Sequence, residues 1–384
     1  MVSDIDEPGW AARPSFSLWY TPDVAFPARP EPFRGRAAEV RTLAAACRSG
    51  LNPRLALVGP GGSGKSTLAA ALGHRLRSRY PGGIEWFRVG RWDHRTLIDM
   101  LAIRMKVPLG GLQQRHRRLA ALRRHLEAQQ GTFIVLDNHE DDREMARLLN
   151  ALDGLPVSWL LTARRCLLSG VSVFPVVAPL ATAGRSPFPH VAELTSLLRW
   201  NPLALDISNA LVDTGVVSAP ALHAWLLRAG VARVSPIAHE DDLPELRLLV
   251  AWAWPRVGVA ARRLLAVLAH LEGDHVDVAS LAALARAGRE SRRALALLTR
   301  WHLVQQPLPG RYALHATIRY AIERRTRFDQ ARAVKHFVVL LERHPERLDL
   351  EQTHLFAAMD HAHTTSDLGL ALRLEKLLER LGLA

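Results

Sequence analysis

The chain has 384 residues, 48% of them hydrophobic and 23% charged, which is an ordinary globular composition and suggests roughly two to four domains. No apolar run reaches the roughly eighteen residues of a membrane span, and the first residues lack the basic-then-apolar order of a signal peptide. Two cysteines, Cys47 and Cys166, exclude a disulfide framework or a cysteine-rich metal site. We expect both in the core of a cytoplasmic protein that does not bind membranes.

The positive charge of the chain is its one unusual bulk property. A net charge of +13 and a pI near 10.8 favour contact with nucleic acid, anionic membranes or acidic proteins. The arginines are spread along predicted helices, for example around the apolar stripe Leu119, Leu122 and Leu126. We therefore expect mostly solvated helix faces, with weak and non-specific duplex binding. Arginines around that stripe are Arg115, Arg117, Arg118, Arg123 and Arg124.

Strands and helices alternate along the first half of the sequence. Residues 1–32 contain several prolines and are predicted to form an extended arm. After a helix at 36–48, the predicted strands are 55–59, 82–89, 132–138 and 157–162, and the predicted helices are 65–78, 94–106, 113–129 and 142–152. This alternation is typical of a parallel sheet covered on both faces. We predict an α/β domain over residues 33–182.

The second half is predicted to be largely helical. Residues 183–240 follow the loss of strand patterns and are assigned to a small helical domain, with helices over 191–231. In residues 241–327, helices at 259–271, 278–286 and 290–301 precede two short strands within 303–315, around a Pro-Gly turn. Three helices and a hairpin predict a winged-helix domain. Residues 328–384 are predicted to form a C-terminal segment of amphipathic helices.

The stretch "GPGGSGKS" at residues 59–66 has the complete G-x-x-x-x-G-K-[ST] spacing between a predicted strand and helix. Glycines allow backbone N–H groups to approach phosphate oxygens, and the helix directs its positive end at them. Lys65 supplies charge to the β- and γ-phosphates, while Ser66 can bind Mg²⁺. The sequence therefore predicts a P-loop that binds ATP or ADP. The predicted phosphate-binding residues are Gly61, Gly62, Ser63, Gly64, Lys65, Ser66 and Thr67.

Asp137 ends the buried strand "FIVLD" and is predicted to hold Mg²⁺ together with Ser66. The next residue is Asn138, and an amide cannot accept a proton from an attacking water. Glu140 is the nearest substitute base, although an acidic cluster at a helix start is also favoured by the helix dipole. The sequence leaves turnover open and predicts slow ATP hydrolysis.

Five stretches in order resemble the STAND class of signal-transducing P-loop ATPases, in its bacterial, NB-ARC-like branch. They are "FRGRAAEV", "GPGGSGKST", "VLDNHED", "LLTARR" and "NPLALDI". The resemblance implies that Arg36 lies near the adenine, that Arg164 senses the γ-phosphate as part of the catalytic set, and that Pro202 closes over the base. "YALHATIRY" resembles the region whose histidine touches the β-phosphate of ADP, which implies that role for His315.

The chain departs from the family pattern at two positions. Trp200 stands where the family has glycine, and Ala316 stands where it has aspartate, which weakens the expected lock on the ADP state. The tail resembles the helices that precede a tetratricopeptide sensor in bacterial members. We expect signal input and output to lie in a protein partner or in further chain.

By this resemblance the protein would be a molecular switch. Its ADP-bound form would be closed, and exchange for ATP would open it and drive homo-oligomerisation, in bacterial defence or transcriptional signalling. Two alternatives stay open. One is a winged-helix DNA-binding ATPase or transcriptional regulator, with Arg289, Arg292, Arg293 and Arg300 around its third helix; the other is a nucleotide-binding scaffold without turnover. Nucleic acid is the less favoured partner.

Overall fold

The computed structural model describes residues 26–27, 36–90, 92–107, 115–129, 131–177, 194–230, 244–271 and 275–383. Most of the predicted N-terminal arm and the Pro-rich segment 186–190 lie outside these residues. Among the described helices, none combines the length and apolarity that crossing a bilayer demands.

A five-stranded parallel sheet forms the centre of the first half, with the strand order β2-β3-β4-β1-β5. Its strands are β1 Arg54–Val58, β2 Ile84–Arg88, β3 Thr132–His139, β4 Val157–Ala163 and β5 Ser172–Pro175. Strands β3 and β4 are buried along almost their whole length, as expected for central strands covered on both faces. The four predicted strands and their alternation with helices are confirmed.

Strand β5 is absent from the sequence prediction, which placed no strand between β4 and residue 303. It pairs in parallel with β1 at the edge of the sheet, and its side chains are mostly exposed. An edge strand with one neighbour does not need the continuous apolar run that identifies a buried strand. The four residues of β5 therefore add a fifth strand inside the predicted α/β domain.

Helices cover both faces of this sheet and separate its packing into two cores. Helices α1 and α2 pack on one face, while α3, α4 and α5 pack on the other. Their bounds are α1 Ala37–Ser49, α2 Lys65–Leu76, α3 His94–Arg104, α4 Arg115–Ala128 and α5 Asp142–Ala151. Cys47 and Cys166 are both buried and unbonded, as expected, and burial raises the pKa of the Cys47 thiol to about 11.

The second half is helical apart from a three-stranded antiparallel sheet of order β6-β8-β7. The predicted helices over 191–231 are found only at α6 and α7, because residues 194–200 form turns in the described chain. The bounds are α6 Pro202–Asp213, α7 Ala219–Arg228, α8 Pro244–Ala253, α9 Val259–His270, β6 Val276–Asp277, α10 Val278–Ala285, α11 Ser291–Arg300, β7 Gln305–Leu308, β8 Arg311–Ala313, α12 Ala316–Glu323, α13 Gln330–Arg343, α14 Leu348–Thr365 and α15 Leu368–Arg380.

The C-terminal helices share a core with the parallel sheet. Side chains of α13, α14 and α15 belong to the same buried cluster as α3, α5 and the inner strands. Phe356 of α14 meets Trp92 edge-to-face, with ring centroids 6.2 Å apart, and Thr96 donates a hydrogen bond to Asp360 at 3.1 Å. The C-terminal helices therefore pack directly on the α/β domain.

A buried ionic cluster fixes the hairpin β7–β8 to α14. Arg311 donates two hydrogen bonds to the carboxylate of Glu351, at 2.9 and 2.8 Å, and a third to Nδ1 of His275 at 2.8 Å. Arg347 bridges Glu351 and Asp277. Bidentate pairing compensates the cost of burying Glu351, which is fully shielded from solvent.

Candidate functional site

The P-loop connects β1 to α2 at the carboxyl edge of the sheet. Gly62 and Gly64 have φ angles of +74° and +87°, which residues with a side chain rarely adopt. A Cβ on Gly62 would lie only 2.8 Å from Asn201 Oδ1 and 3.0 Å from Leu203 Cβ. The loop therefore needs glycine both for its backbone and for the close approach of α6.

Lys65 begins α2 and lies inside this loop. Its Nζ donates to the carbonyls of Gly59 and Pro60, both at 2.8 Å. Burial lowers the pKa of Lys65 to about 8; Arg164 and Arg36 also lower it, and Asp137 partly offsets the effect. Because this ammonium lies among other cations, a polyanion such as a nucleotide phosphate chain would relieve their mutual repulsion.

Asp137 is buried at the end of β3 and is 1% exposed. Its Oδ1 accepts hydrogen bonds from Ser66 Oγ and Thr162 Oγ1, both at 2.6 Å. The Arg88 Nε lies 3.9 Å from Asp137 Oδ2. A hydroxyl and a carboxylate in contact beside a P-loop are the oxygen groups that hold Mg²⁺ with a bound nucleotide. The predicted pair therefore fits this ion.

A bulge in β3 positions the residues after Asp137. The register between β3 and β4 shifts between Leu136 and His139, and Asn138 has a φ of +62°. The Asn138 amide donates to Thr162 Oγ1 at 2.9 Å, while its side chain donates to Glu140 Oε1 at 2.9 Å. Bulges often redirect side chains near functional sites. Here Glu140 is exposed and held by the amide that replaces the usual acid.

The start of α6 contacts the P-loop through Asn201. Its Oδ1 caps the helix by accepting from the Ala204 amide, and its Nδ2 donates to the Gly61 carbonyl at 2.8 Å. Pro202 follows as the first helical residue. Trp200 has a φ of +56°, which explains physically why glycine suits this position. The base contact predicted for Pro202 stays a prediction.

Arg36 holds the backbone around the loop. Its Nη2 donates to the carbonyls of Ser63 and Val177, both at 2.7 Å, and its Nη1 pairs with Glu39 at 3.1 Å. Arg36 is 6% exposed, so this fork is almost wholly inside the protein. The structure thus gives Arg36 a positioning contact, and its contact with adenine stays a prediction. Thr67 lies in the first turn of α2.

His315 is the N-cap of α12 and faces the phosphate site from the second half of the chain. Its Nδ1 accepts a hydrogen bond from the Thr317 amide at 3.2 Å. Burial, with the nearby charges of Arg88, Lys65 and Arg164, lowers the pKa of His315 to about 3. The neutral ring therefore carries its proton on Nε2, which leaves one N–H donor for a phosphate oxygen.

Arg164 follows β4 and reaches α12. Its guanidinium carbon lies 5.6 Å from the centroid of the Tyr320 ring, within range of a cation–π contact. A cavity of about 730 Å³ separates the strand ends from α12; Arg88, Glu140 and Arg164 line one side, and Ala316 and Tyr320 line the other. Ala316 stands where the family has aspartate, so this position presents only a methyl group to the cavity.

Three contributors to the site were missed in the sequence. Thr162 lies inside "LLTARR" and Asn201 inside "NPLALDI", but the sequence patterns assigned neither residue a contact in the site. An asparagine directly before a proline-led helix is an N-cap signal that could have identified Asn201. Arg88 ends β2, and a cation at the carboxyl end of a parallel strand beside a P-loop was a second available signal.

Comparison with known proteins agrees with this architecture. Residues 52–169 match the AAA domain family. Regulatory protein AfsR of Streptomyces coelicolor is 23% identical over 320 residues, which are 76% of this chain and 32% of AfsR. The chain therefore spans about a third of the length of this curated relative.

The chain is also similar to a solved structure over most of its length. A STAND protein with a tetratricopeptide repeat sensor from Pyrococcus horikoshii aligns over 92% of this chain and 59% of its own, with a TM-score of 0.52 and 15% identity. Identity at this level shows the fold alone. With its P-loop, its parallel five-stranded sheet and its mostly helical remainder, the chain has an AAA-type P-loop fold like that of this STAND protein.

Proposed function

We propose that the protein is a STAND-type molecular switch in the cytoplasm. In this proposal the ADP-bound form is closed, and exchange for ATP opens it and allows homo-oligomerisation. In this proposal helices α9–α11 with the hairpin β7–β8 act as a winged helix, and α12 follows the second strand of the hairpin. The moving part would be this unit together with α12.

The position of His315 carries the proposal. It belongs to the helical half of the chain, yet the charges that lower its pKa are Arg88, Lys65 and Arg164 of the α/β domain. Its Nε2 donor is therefore available to a phosphate held by the P-loop. A hydrogen bond to a charged group contributes about 1.5 to 3 kcal/mol. That is enough to shift a two-state balance at least tenfold.

Arg164 supplies the opposing contact. In the described arrangement it lies against Tyr320 of α12. A γ-phosphate would attract this guanidinium, and α12 would then lose one of its contacts with the α/β domain. ADP would favour the His315 contact and ATP the Arg164 contact, which is the differential interaction that a ligand-driven switch requires.

Turnover would be slow and would end the ATP state. Asp137 and Ser66 would hold Mg²⁺, which neutralises phosphate charge when bound. Asn138 cannot act as a base, and Glu140 is exposed and already accepts a hydrogen bond from the Asn138 side chain. Glu140 would thus be a weak base, and Asp137 would contribute more to turnover.

The signalling role is regulatory in this proposal. The similarity to a regulatory protein supports it, although that relative is about three times longer than the matched region. A partner protein would supply the sensor or the effector. A nucleotide-binding scaffold without turnover is the alternative, and it predicts that bound ATP stays intact over hours.

Two substitutions of His315 test the switch. His315→Ala removes both the Nε2 donor and the cap of α12, whereas His315→Asn keeps a good N-cap and removes the imidazole. Both should release ADP at least tenfold faster in stopped-flow measurements. Both should also shift the particle mass towards assemblies when ATP is added.

Comparing the two variants separates the phosphate contact of His315 from its role as the cap of α12. If only His315→Ala releases ADP faster, the lost cap of α12 is the cause, and the proposed contact between His315 and the phosphate is wrong. Unchanged ADP release and an unchanged monomer mass in both variants would reject the switch in this form.

A further inference from the structure

Five arginines fall within the fifteen residues that comprise α11 and the turn before it. Residues 286–300 contain Arg286, Arg289, Arg292, Arg293 and Arg300 and a single carboxylate, Glu290. All five arginines are exposed. Within the part of the chain that the structure describes, none of them has a recorded ion pair. We call these five side chains the α11 basic face.

The pattern of α11 separates an inner face from this outer one. Ser291, Leu295 and Leu298 are buried, at the i, i+4, i+7 spacing of one helix side. Arg292, Ala296 and Arg300 follow each other at i, i+4, i+8 on the exposed side. The two leucines belong to the buried cluster that also contains side chains of α9 and α10, so the inner face of α11 packs in the core while its outer face stays exposed.

The topology around α11 is that of a helix-turn-helix. Helix α10 is joined to α11 by a short turn in which Arg286 and Gly288 have positive φ angles of 49° and 54°. In this motif the second helix of the pair is presented outward and enters the major groove. Helix α11 has ten residues, so it is about 15 Å long and of a width that the roughly 12 Å groove admits.

We propose that the α11 basic face binds duplex DNA, chiefly through backbone phosphates. Guanidinium groups pair with phosphate oxygens in bidentate fashion, and the face offers several of them along one helix. Its exposed residues, all within the described chain, include no aromatic side chain on which single-stranded bases could stack. The chemistry therefore fits a duplex better than a single strand.

The experiment measures binding of the full chain to a fluorescent 30-base-pair duplex of mixed sequence between 50 and 200 mM KCl. The test variant combines Arg292→Ala, Arg293→Ala and Arg300→Ala. The matched control combines Arg41→Ala, Arg75→Ala and Arg77→Ala, three exposed arginines of the α1–α2 side. Both variants lose the same charge, and ADP binding with thermal melting verifies that each is folded.

The slope of log K against log salt is negative, and loss of three phosphate contacts makes it shallower by about 2 to 3. We expect this change, with at least tenfold weaker binding at 50 mM KCl, in the test variant and a much smaller change in the control. An equal loss in both variants would overturn the proposal, because the general charge would then explain binding. Failure of the wild type to bind at 50 mM KCl, or tighter binding to a single strand of equal length, would also overturn it.

Discussion

At the scale of single residues, the candidate site brings several cations close to one another. Burial lowers the pKa values of Lys65 and His315, and nearby cations lower them further. These cations are Arg164 and Arg36 for Lys65, and Arg88, Lys65 and Arg164 for His315. Such a cluster is electrostatically unfavourable alone and favourable with a polyphosphate. The Lys65 ammonium therefore couples ligand binding to proton uptake.

Nucleotide affinity should fall at alkaline pH because of Lys65. Its pKa is about 8 in the free protein, and phosphates favour the ammonium and raise that pKa. The protonated form is thus nearly complete at pH 7 and scarce at pH 9. Measured with ADP and without Mg²⁺, the affinity should drop roughly tenfold between these two pH values.

Two variants control this measurement. Lys65→Arg keeps its charge at pH 9, so its affinity should be weaker than wild type but nearly independent of pH. Lys65→Ala should abolish binding. A wild-type affinity that stays constant from pH 7 to pH 9 would contradict the role given to this ammonium.

At the scale of elements, the central strands and the P-loop were predictable because each has a local signal. Buried strands appear in the sequence as apolar runs, and residues 59–66 have the glycine and lysine spacing typical of a phosphate-binding loop. Strand β5 lacked such a signal, since an exposed edge imposes little on its sequence. The contacts of Arg88 and Asn201 were hidden for another reason: each depends on elements that are distant in sequence and meet only in the folded chain.

Helix α12 lacks an acid in its first turn, and adding one should strengthen its contact with the α/β domain. Ala316 faces the cavity that Arg88 and Arg164 line. In Ala316→Asp the carboxylate would lie near both guanidinium groups and near the positive end of α12, a gain of about 0.3 to 1 kcal/mol. In the nucleotide-free protein we expect a rise of about 1 to 3 °C in the melting midpoint.

Ala316→Asn is the control, because it has nearly the same shape without the charge. Equal midpoints for the two variants would show that the arginines do not reach this position. The gain should also shrink in concentrated salt, as expected for a partly exposed ion pair.

At the scale of the whole molecule, the predicted C-terminal helices share one interior with the α/β domain, formed by side chains of α3, α5 and α13–α15. Amphipathic helices of similar pattern do not reveal which surface they will cover. We therefore expect one cooperative unfolding transition, coincident by calorimetry, circular dichroism and tryptophan fluorescence. Phe356→Ala should lower its free energy of unfolding by about 3 to 5 kcal/mol.

The exposed Leu372 of α15 provides the control, being 61% exposed. Leu372→Ala should change stability by less than about 0.5 kcal/mol. Two separated transitions in the wild type, with the C-terminal helices melting first, would show that these helices and the α/β domain do not unfold as one unit.

The hydrogen bond that the Thr317 amide donates to His315 has a consequence for how the site responds to a change in pH. An ordinary histidine changes its charge within the range that cytoplasm and endosomes cover, roughly pH 5 to 8. His315 has a pKa of about 3, so its ring keeps one charge state and one proton position across that range. A response that depends on this ring registers which nucleotide is present and is insulated from fluctuations in acidity.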